Sequence, residues 1–310
     1  MRSRIVATVL ISFLALGACG GDDYDSSSSD TTASGAAASF PVTVSTANGD
    51  VTIAERPQRI VSLSPSATEM LFAIGAGEQV VAVDDQSDYP AEVPTTELSG
   101  YEPNVEAIAS YEPDLVVMSD DAIAGELEAL DIPLVVEPAV TTVEESYEQI
   151  RQLGLATGNA AQADDTVTDI RASIDEIVAD IPADAAPLSI YHELDDIYYS
   201  AASSTFIGAL YELAGLENIA DAADDGSGYP QLSAEYIVDA DPDIVFLADT
   251  ECCGQSADTV AARPGWAEIS AVSSGQIVSL GDDIASRWGP RLVDLLELIV
   301  DGAEKARAGT

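Results

Sequence analysis

The sequence predicts an α/β fold: two small parallel-sheet α/β lobes that are joined by one long connecting helix, with a cleft between the lobes. Two observations support this class. A unit of short helix, proline, aspartate and buried strand occurs twice, at Asn104–Met118 and Ser233–Leu247, and a purely helical stretch at 142–181 separates the copies. The copies lie about 130 positions apart, which is the length of one α/β lobe and too long for a solenoid repeat.

Composition limits the classes of partner. The 310 residues are 47% apolar, which is enough for a core in each of two domains. Fifty-five acidic residues face eleven basic ones, and the formal net charge is −44. Such a chain repels nucleic acid and anionic membrane surfaces, so we expect no nucleic-acid partner. The acidic residues are spread along the whole chain, which indicates a solvated acidic surface suited to salty surroundings.

A targeting segment opens the chain. Two arginines precede the apolar run Ile5–Leu16, which is too short for a comfortable membrane span. The run ends in Leu16-Gly17-Ala18-Cys19, which resembles the bacterial lipobox with its lipid-modified cysteine. We therefore expect a signal peptide at 1–18, a lipid on Cys19 and a flexible tether at 19–39 that is poor in apolar residues. The alternative is an ordinary secretory signal with a chance cysteine.

The N-terminal part predicts a hairpin followed by a lobe. In the hairpin, at 40–58, apolar and polar residues alternate on both sides of Asn48-Gly49, a strong turn signal. The N-terminal lobe, at 59–141, contains a helix for which Ser66 and Glu69 predict a capping box. Its predicted strands are Ile60–Leu63, Val80–Val83, Leu115–Met118 and Leu134–Val136.

The second half predicts a connector and a second lobe. The connector at 142–181 is helical with one break at Gly158-Asn159, and its second piece spans on the order of 33 Å. The C-terminal lobe covers 182–310. Its predicted elements are strand Leu188–His192, helix Thr205–Ala214, the second repeat copy with strand Ile244–Leu247, and a last helix from Pro290 to about Ala308.

Both repeat copies place a glutamate at the start of a helix. Asn104 and Ser233 are good N-cap residues, and Glu106 and Glu235 follow two positions later, where the helix dipole favours negative charge. Open parallel sheets bind ligands at the carboxyl ends of their strands. By this rule the segments on the ligand side are Ser64-Pro65-Ser66, Ser119-Asp120-Asp121, Asp249–Gln255 and Asp282–Arg287.

Cysteine and histidine usage argues against a metal centre. Cys252 and Cys253 are adjacent and cannot join distant segments, so the fold depends on its own core. We expect them to be two small packed residues; the alternatives are a vicinal disulfide and a redox or ligand-contacting part. The single histidine, His192, leaves no Cys/His cluster for zinc, and we expect no metal and no cofactor.

Several motifs together carry a family resemblance. They are Arg59–Glu69, Ser87-Asp88-Tyr89-Pro90, the two glutamate-containing repeat copies, Ala214-Gly215 with Asn218-Ile219, and Arg287-Trp288-Gly289-Pro290-Arg291. From about Phe40 to the C-terminus the chain resembles the substrate-binding proteins of bacterial ABC importers for cobalamin, ferric siderophores and haem. The resemblance implies a monomeric, extracytoplasmic binding protein, anchored to the cell membrane through Cys19 and not an enzyme. It implies capture of a corrinoid, a ferric siderophore or haem and delivery to a permease dimer.

The resemblance also implies roles for single residues. The permease-docking glutamates of the family correspond to Glu106 and Glu235, whose alternative role is a solvated carboxylate at a helix start. The ligand-contacting aromatics and arginine of the family correspond to Tyr89, Tyr101, Tyr229 and Arg287. Tyrosine offers a flat apolar face with a hydroxyl, and arginine would neutralise an anionic ligand group.

Several alternatives stay open at this point. For Arg287 the alternative is a surface ion pair with Asp282 or Asp283. Cobalamin binders often carry tryptophan at the positions of Tyr101 and Tyr229, so the ligand class is open between corrinoid and iron chelate. Two other classes of protein are a secreted hydrolase that uses His192, without any Gly-x-Ser-x-Gly elbow, and a carboxylate-based binder of metal cations at pairs such as Asp84-Asp85.

Overall fold

Two parallel sheets of four strands each form the framework of the protein. The structure is a computed structural model, and it describes residues 39–309. The predicted signal peptide, the lipid site Cys19 and almost all of the tether lie outside these residues. Both sheets belong to a single unit of the chain.

An antiparallel hairpin precedes the first lobe, as the sequence predicts. Its strands are β1 (Val42–Thr46) and β2 (Gly49–Ile53). The turn uses Gly49 at φ +106°, a conformation that glycine adopts without a steric penalty. The side chain of Asn48 donates a hydrogen bond to the carbonyl of Leu134 at 3.1 Å, which ties the hairpin to the edge of the neighbouring sheet.

The N-terminal lobe is built on a sheet with strand order β4-β3-β5-β6, all parallel. The four strands agree with the predicted ones: β3 (Ile60–Leu63), β4 (Val80–Val83), β5 (Leu115–Met118) and β6 (Leu134–Val136). Their helices are α1 (Pro65–Ala73), α2 (Val105–Ala109) and α3 (Ala124–Glu128), with a 3-10 turn at Gly77–Gln79. Strands β3 and β5 are buried along their whole length.

The start of α1 differs from the prediction. Ser64, not Ser66, is the N-cap residue, and its side chain accepts the N–H of Ala67. Pro65 explains the difference, because a residue before proline is driven to the extended backbone that an N-cap needs, and proline suits the first helical position. The predicted capping box of Ser66 and Glu69 is therefore wrong. Both side chains are buried instead and have partners elsewhere.

Two helices form the connector, as predicted. They are α4 (Val143–Thr157) and α5 (Ala160–Asp180), and Gly158 separates them in the left-handed conformation at φ +76°. The guanidinium of Arg56 fixes this corner by donating to the carbonyl of Thr157 at 3.0 Å and to the side chain of Asn159 at 3.2 Å. One apolar core runs from the first sheet through the connector to the second sheet, so the lobes and the connector are packed together.

The C-terminal lobe repeats the parallel design with strand order β10-β9-β7-β8. Its strands are β7 (Leu188–Glu193), β8 (Leu216–Asn218), β9 (Ile244–Leu247) and β10 (Ile277–Ser279). Its helices are α6 (Phe206–Leu213), α7 (Ala234–Ala240), α8 (Ala257–Ala261), α9 (Ser270–Ser273) and α10 (Leu292–Gly309), with 3-10 turns at Ile219–Ala223 and Trp266–Glu268.

Helix α10 begins at Leu292, two residues after the predicted start at Pro290. The N–H of Leu292 bonds to the carbonyl of Gly289 at 3.0 Å, so the chain makes a tight turn before the α-helix proper. Within residues 39–309, no helix combines the length and the apolar character that a membrane crossing requires.

Candidate functional site

The two repeat copies present equivalent glutamates to solvent. Asn104 caps α2 by accepting the N–H of Ala107 at 3.0 Å, and Ser233 caps α7 by accepting the N–H of Tyr236 at 3.1 Å. Glu106 and Glu235 lie in the first turns of these helices, and both are exposed. Because each helix runs antiparallel to the strand that follows it, both helix starts lie toward the carboxyl ends of the strands. The glutamates are thus on the rim that a ligand would approach.

Exposed tyrosines precede both glutamates. Tyr101, just before α2, is 94% exposed, and Tyr229, just before α7, is 45% exposed. Large aromatic side chains seldom stand so free of the core, and an exposed aromatic ring is typical of a contact surface. Partial burial raises the pKa of the Tyr229 hydroxyl, which therefore stays protonated at neutral pH and can donate a hydrogen bond.

Tyr89 lies apart from these two tyrosines. It lines a cavity of about 890 Å³ between α1, the loop after β4 and the start of α10, a cavity to which neither Tyr101 nor Tyr229 contributes. The guanidinium of Arg291 lies over the Tyr89 ring, 4.2 Å from the ring centre. This distance is within the range of a cation–π contact. Tyr89 is 45% exposed, so part of the ring is free for a ligand.

Arg287 joins the two lobes. Its Nη1 lies 3.0 Å from Oε1 of Glu69 on α1 and 3.0 Å from Oδ1 of Asp88 in the loop after β4. Its Nη2 lies 2.6 Å from Oδ1 of Asp283 and donates to the carbonyl of Gln86 at 2.8 Å. The side chain of Arg287 is only 5% exposed. Its charge is balanced by carboxylates from both lobes, which does not fit the expected role of neutralising an anionic ligand group.

The alternative for Arg287, an ion pair with Asp283, is present, although it is not a surface pair. Burial tends to raise the pKa of Asp88, but the hydrogen bond and the charge of Arg287 outweigh it and hold that pKa below its usual range. Burial raises the pKa of Asp283, and the adjacent Asp88 adds to the rise against the charge of Arg287. Asp88 is therefore the more acidic member of this carboxylate pair across the lobe junction.

Glu69 holds a second arginine. The Nε of Arg291 donates to Oε2 of Glu69 at 3.0 Å, and its Nη2 donates to Oε1 at 2.5 Å. Burial lowers the pKa of Arg291, but the bonds to Glu69 outweigh this effect and raise it above its usual value. The buried carboxylate of Glu69 thus forms ion pairs with two guanidinium groups. Their attraction is strong because the surroundings have a low dielectric constant and the carboxylate oxygens are hydrogen-bonded.

The three residues between these arginines, Trp288, Gly289 and Pro290, also link the lobes. The N–H of Trp288 donates to Oγ of Ser66 at 3.2 Å, and its carbonyl accepts a bond from Oγ of Ser146 at 2.6 Å. The indole Nε1 of Trp288 donates to Oε1 of Gln149 at 2.8 Å. A side chain at Gly289 would meet the carbonyl of Ser66 at 3.3 Å, which explains the glycine. The Arg-Trp-Gly-Pro-Arg motif thus connects the C-terminal lobe to α1 and α4.

The loop Asp249–Gln255 carries Cys252 and Cys253 at the carboxyl end of β9. The two cysteines form a vicinal disulfide, and both are exposed. The expectation of two small packed residues is therefore wrong, and the alternative of a vicinal disulfide is correct. The reason is the position of the two cysteines at the tip of a loop. The loop is held by hydrogen bonds to Asp282 and Asp249, and its tip lies in solvent.

His192 has the surroundings of a structural residue. It is fully buried on β7, and its Nδ1 lies 2.7 Å from the hydroxyl of Tyr211. Burial lowers the pKa of His192 to about 4, so the ring is neutral at physiological pH. A fully buried ring cannot act on an external substrate. Among residues 39–309, no group of three or more His, Cys, Asp or Glu side chains is arranged to hold a metal ion.

Comparison with known proteins identifies the family. A family model described as periplasmic binding protein matches residues 60–284. The chain belongs to this family. Family membership and the two-lobed architecture confirm the predicted fold class and the resemblance to the solute-binding components of ABC importers.

Two relatives cover most of the chain. An uncharacterised ABC transporter substrate-binding lipoprotein of Bacillus subtilis (strain 168) is 31% identical over 314 residues, covering 97% of this chain and 96% of the relative. A cobalamin-binding protein of Halobacterium salinarum is 34% identical over 275 residues, covering 83% of this chain and 73% of the relative.

Two solved structures of the family share the fold. The periplasmic vitamin B12-binding protein of Vibrio cholerae superposes with a TM-score of 0.66 at 25% identity, over 81% of this chain and 98% of that one. A periplasmic haem-binding protein from Roseiflexus sp. RS-1 gives 0.69 at 25% identity, over 80% and 99%. The fold alone therefore does not distinguish the ligands of family members.

Proposed function

We propose that this periplasmic binding protein is the extracytoplasmic component of an ABC importer and that it captures a corrinoid between its two lobes. The observation that carries the ligand class is the pair of exposed rings, Tyr101 and Tyr229, one on each lobe at equivalent places before the two rim helices. Exposed aromatic rings on both lobes suit contact with a large flat macrocycle. The proposal agrees with the presence of cobalamin- and vitamin B12-binding proteins among the relatives.

The charges around the rim favour a corrinoid over haem. Exposed carboxylates line the carboxyl ends of the strands, and the nearby arginines Arg287 and Arg291 already face Glu69, Asp88 and Asp283. Haem carries two propionates, and in the described part of the chain these groups would meet carboxylates whose neighbouring arginines, Arg287 and Arg291, are already paired. A macrocycle with amide side arms avoids this cost. In this proposal Tyr101 and Tyr229 contact the ligand, Tyr89 lines its own cavity beside α1, and Arg287 supports the site by joining the lobes.

Calorimetry on the mature protein tests the ligand class. We expect cyanocobalamin to bind with one ligand per chain, and haem and a ferric hydroxamate siderophore to bind at least tenfold more weakly. Tyr101→Ala and Tyr229→Ala should each weaken cyanocobalamin binding about 10- to 100-fold, which is the effect of removing an aromatic anchor of roughly 1–3 kcal/mol.

The matched control is Leu130→Ala. Leu130 is an exposed apolar residue just before β6, at the opposite edge of the sheet, and its loss should leave affinity unchanged. Saturable binding of haem or the siderophore with no heat from cyanocobalamin would overturn the corrinoid assignment. Binding of none of the three would overturn the proposed function.

We further propose that the mature protein is tethered to the cell membrane by a lipid on Cys19. The proposal is supported by the lipobox-like sequence Leu16-Gly17-Ala18-Cys19 and by the lipoprotein named among the relatives. Cys19→Ser should move the protein from the membrane fraction to the soluble extracytoplasmic fraction without changing its ligand affinity. Retention of this variant in the membrane fraction would contradict the anchor.

A further inference from the structure

The vicinal disulfide has no evident role in holding the fold together. A disulfide stabilises a protein mainly by restricting the unfolded chain, and the effect grows with the length of the loop that it closes. Cys252 and Cys253 are adjacent, so their bond closes no loop of the unfolded chain. Both side chains are exposed, so they also add little to the core.

One end of the disulfide loop is held by a carboxylate. Asp282, which follows β10, accepts the N–H of Thr250 at 2.8 Å and the N–H of Glu251 at 3.0 Å on Oδ1, and the N–H of Cys252 at 2.7 Å on Oδ2. Burial tends to raise the pKa of Asp282, but these backbone hydrogen bonds outweigh it and lower the pKa. The anchor is therefore ionised at neutral pH and binds the backbone up to the first cysteine.

The other end of the loop is held by a buried ion pair. The N–H of Gln255 bonds to the carbonyl of Asp249 at 3.2 Å, and its side-chain oxygen accepts Nη2 of Arg263 at 2.8 Å. Arg263 is fixed in turn by the fully buried carboxylate of Glu193, with two bonds of 2.6 Å. The cysteines are thus the tip of a loop whose two ends are fixed to β7, β9 and β10.

The disulfide loop is connected to the junction between the lobes through the adjacent residues Asp282 and Asp283. Asp282 holds the loop, and its neighbour Asp283 pairs with Arg287, which reaches Glu69 of the other lobe. The loop follows β9 at the carboxyl edge of its sheet, the edge toward which Glu235 also lies. Two exposed sulfur atoms at this edge form a soft, polarisable apolar surface among carboxylates, and sulfur makes favourable contacts with conjugated rings.

We propose that the Cys252–Cys253 disulfide is a redox-controlled ligand contact: the oxidised loop completes the C-terminal side of the ligand cleft, and reduction by a dithiol weakens ligand binding. This inference rests on the proposed function, because it takes the ligand to be a corrinoid. Reduction breaks the S–S bond. Two electrons and two protons pass from the dithiol to give two cysteine thiols, and the dithiol becomes a disulfide.

The coupling must act in both directions. If the ligand binds the oxidised protein more tightly than the reduced one, saturation with ligand must make the disulfide harder to reduce by the same factor. A tenfold difference in affinity corresponds to a shift of about 30 mV in the midpoint potential of this two-electron couple. The effect can therefore be read from ligand binding and, separately, from the thiol content of the protein.

The experiment compares wild-type protein with Cys252→Ser/Cys253→Ser. Cyanocobalamin affinity is measured by calorimetry for both proteins, with and without dithiothreitol. We expect reduction to weaken binding to wild type about tenfold or more. The double variant should bind like reduced wild type and should not respond to dithiothreitol, which also controls for an effect of the reductant on the ligand. Thermal unfolding of the double variant should match wild type, because the disulfide closes no loop.

A redox titration supplies the second readout. Wild-type protein is equilibrated in dithiothreitol buffers of graded potential with and without cyanocobalamin, and free thiols are counted by mass spectrometry after alkylation. A ligand-dependent shift of about 30 mV or more supports the inference. Equal affinity of the oxidised, reduced and double-variant proteins, with no shift in potential, overturns the inference and leaves the proposed function intact. Absence of cyanocobalamin binding to the oxidised wild type overturns the proposed function and this inference with it.

Discussion

The guanidinium of Arg287 and the carboxylate of Glu69 meet across the junction between the lobes, with Nη1 and Oε1 3.0 Å apart. Both side chains are almost fully buried, at 5% and 2% exposure. Removing Arg287 leaves Glu69 with Arg291 as its cationic partner and takes the cation away from Asp88 and Asp283, which is more costly than losing an exposed pair.

We expect Arg287→Met to lower the free energy of unfolding by about 3–5 kcal/mol. The matched control is Arg151→Met, which breaks the pair of Arg151 and Asp164, with side chains 39% and 69% exposed. That change should cost less than about 1 kcal/mol. Urea unfolding followed by tryptophan fluorescence measures both values. Equal, small losses for the two variants would show that the buried pair does not stabilise the junction.

Permease docking gives a prediction for the two rim glutamates. Glu106 and Glu235 occupy equivalent exposed positions, so two related permease subunits can meet them without touching the cleft. Each single alanine variant should weaken docking, and Glu106→Ala/Glu235→Ala should reduce transport far more than either. Affinity for ligand should stay at the parent value, and stability should change by about 1 kcal/mol or less. Uptake in whole cells and calorimetry on the purified variants separate the two effects.

Glu102→Ala is a suitable control for this docking experiment, because Glu102 is an exposed carboxylate in the loop before α2 and lies outside the helix. Its removal should leave transport near the parent rate. Collapse of ligand affinity in the double variant, with complex formation intact, would move both glutamates into the binding site.

Glu137 predicts a loss of stability as pH rises from acid values to about 8. The residue follows β6, is 2% exposed and has an Oε1 atom without a hydrogen-bond partner. Burial, with a smaller contribution from the charge of Glu148, raises the pKa of Glu137 to about 8. Because the folded-state pKa is raised, the stability is present at low pH. It is lost as pH rises from the ordinary glutamate value of about 4.5 to about 8.

Glu137→Gln should remove this loss, since the amide is neutral at every pH. We expect the variant to be more stable than wild type by a few kcal/mol at pH 8 and by little at pH 5, given about 1.4 kcal/mol per unit of pKa shift. Urea midpoints at both pH values give the comparison, and Glu144→Gln, at an exposed position on α4, is the control. A wild-type advantage at pH 8 would mean that the Glu137 carboxylate is ionised and paired.

His192 predicts a loss of stability as pH falls, whereas Glu137 predicts a loss as pH rises. Burial lowers the folded-state pKa to about 4 from an ordinary value of 6.5, so folding keeps the ring neutral. As pH falls from about 6.5 to about 4, the unfolded chain gains a proton that the folded chain cannot bind, and stability falls by up to about 1.4 kcal/mol per pH unit. In His192→Gln this contribution should be absent. The difference in unfolding free energy between wild type and variant, measured at pH 7 and pH 5, isolates it from the many carboxylates.

The framework was predictable where local signals are strong. Asn48-Gly49 requires a tight turn, the N-caps Asn104 and Ser233 start short helices, and β-branched runs mark the buried strands. Strands β8 and β10 were not predicted, because each of these three-residue strands contains a polar residue, whereas β6, equally short, is a fully apolar run. At the start of α1, Ser64 and Ser66 were both candidates for the N-cap residue. Ser64 is the N-cap because Pro65 holds it in the extended conformation.

The candidate site was predictable in its positions but not in its pairings. Tyr101, Tyr229, Glu106 and Glu235 all lie at exposed places, as their motifs indicated. Asp283 was among the alternatives for Arg287, but its partner Glu69 could not be predicted, because Glu69 lies more than two hundred positions away along the chain and only the packing of α1 against the segment before α10 joins them. A signal did exist, since Glu69 is the single charged residue of α1. Such a carboxylate must find a cation.

Trp288, which is bonded to Ser66, Ser146 and Gln149 at once, has a consequence for how the protein selects its cargo. These contacts tie Trp288 of the C-terminal lobe to α1 of the N-terminal lobe and to α4 of the connector, so we expect the spacing between the lobes to change little when cargo binds. We therefore expect the protein to select its cargo by the fit to a preset gap and not by closing around it. A molecule narrower than the gap touches one wall and leaves quickly, whereas one of matching width meets both walls without a conformational change that would slow its capture.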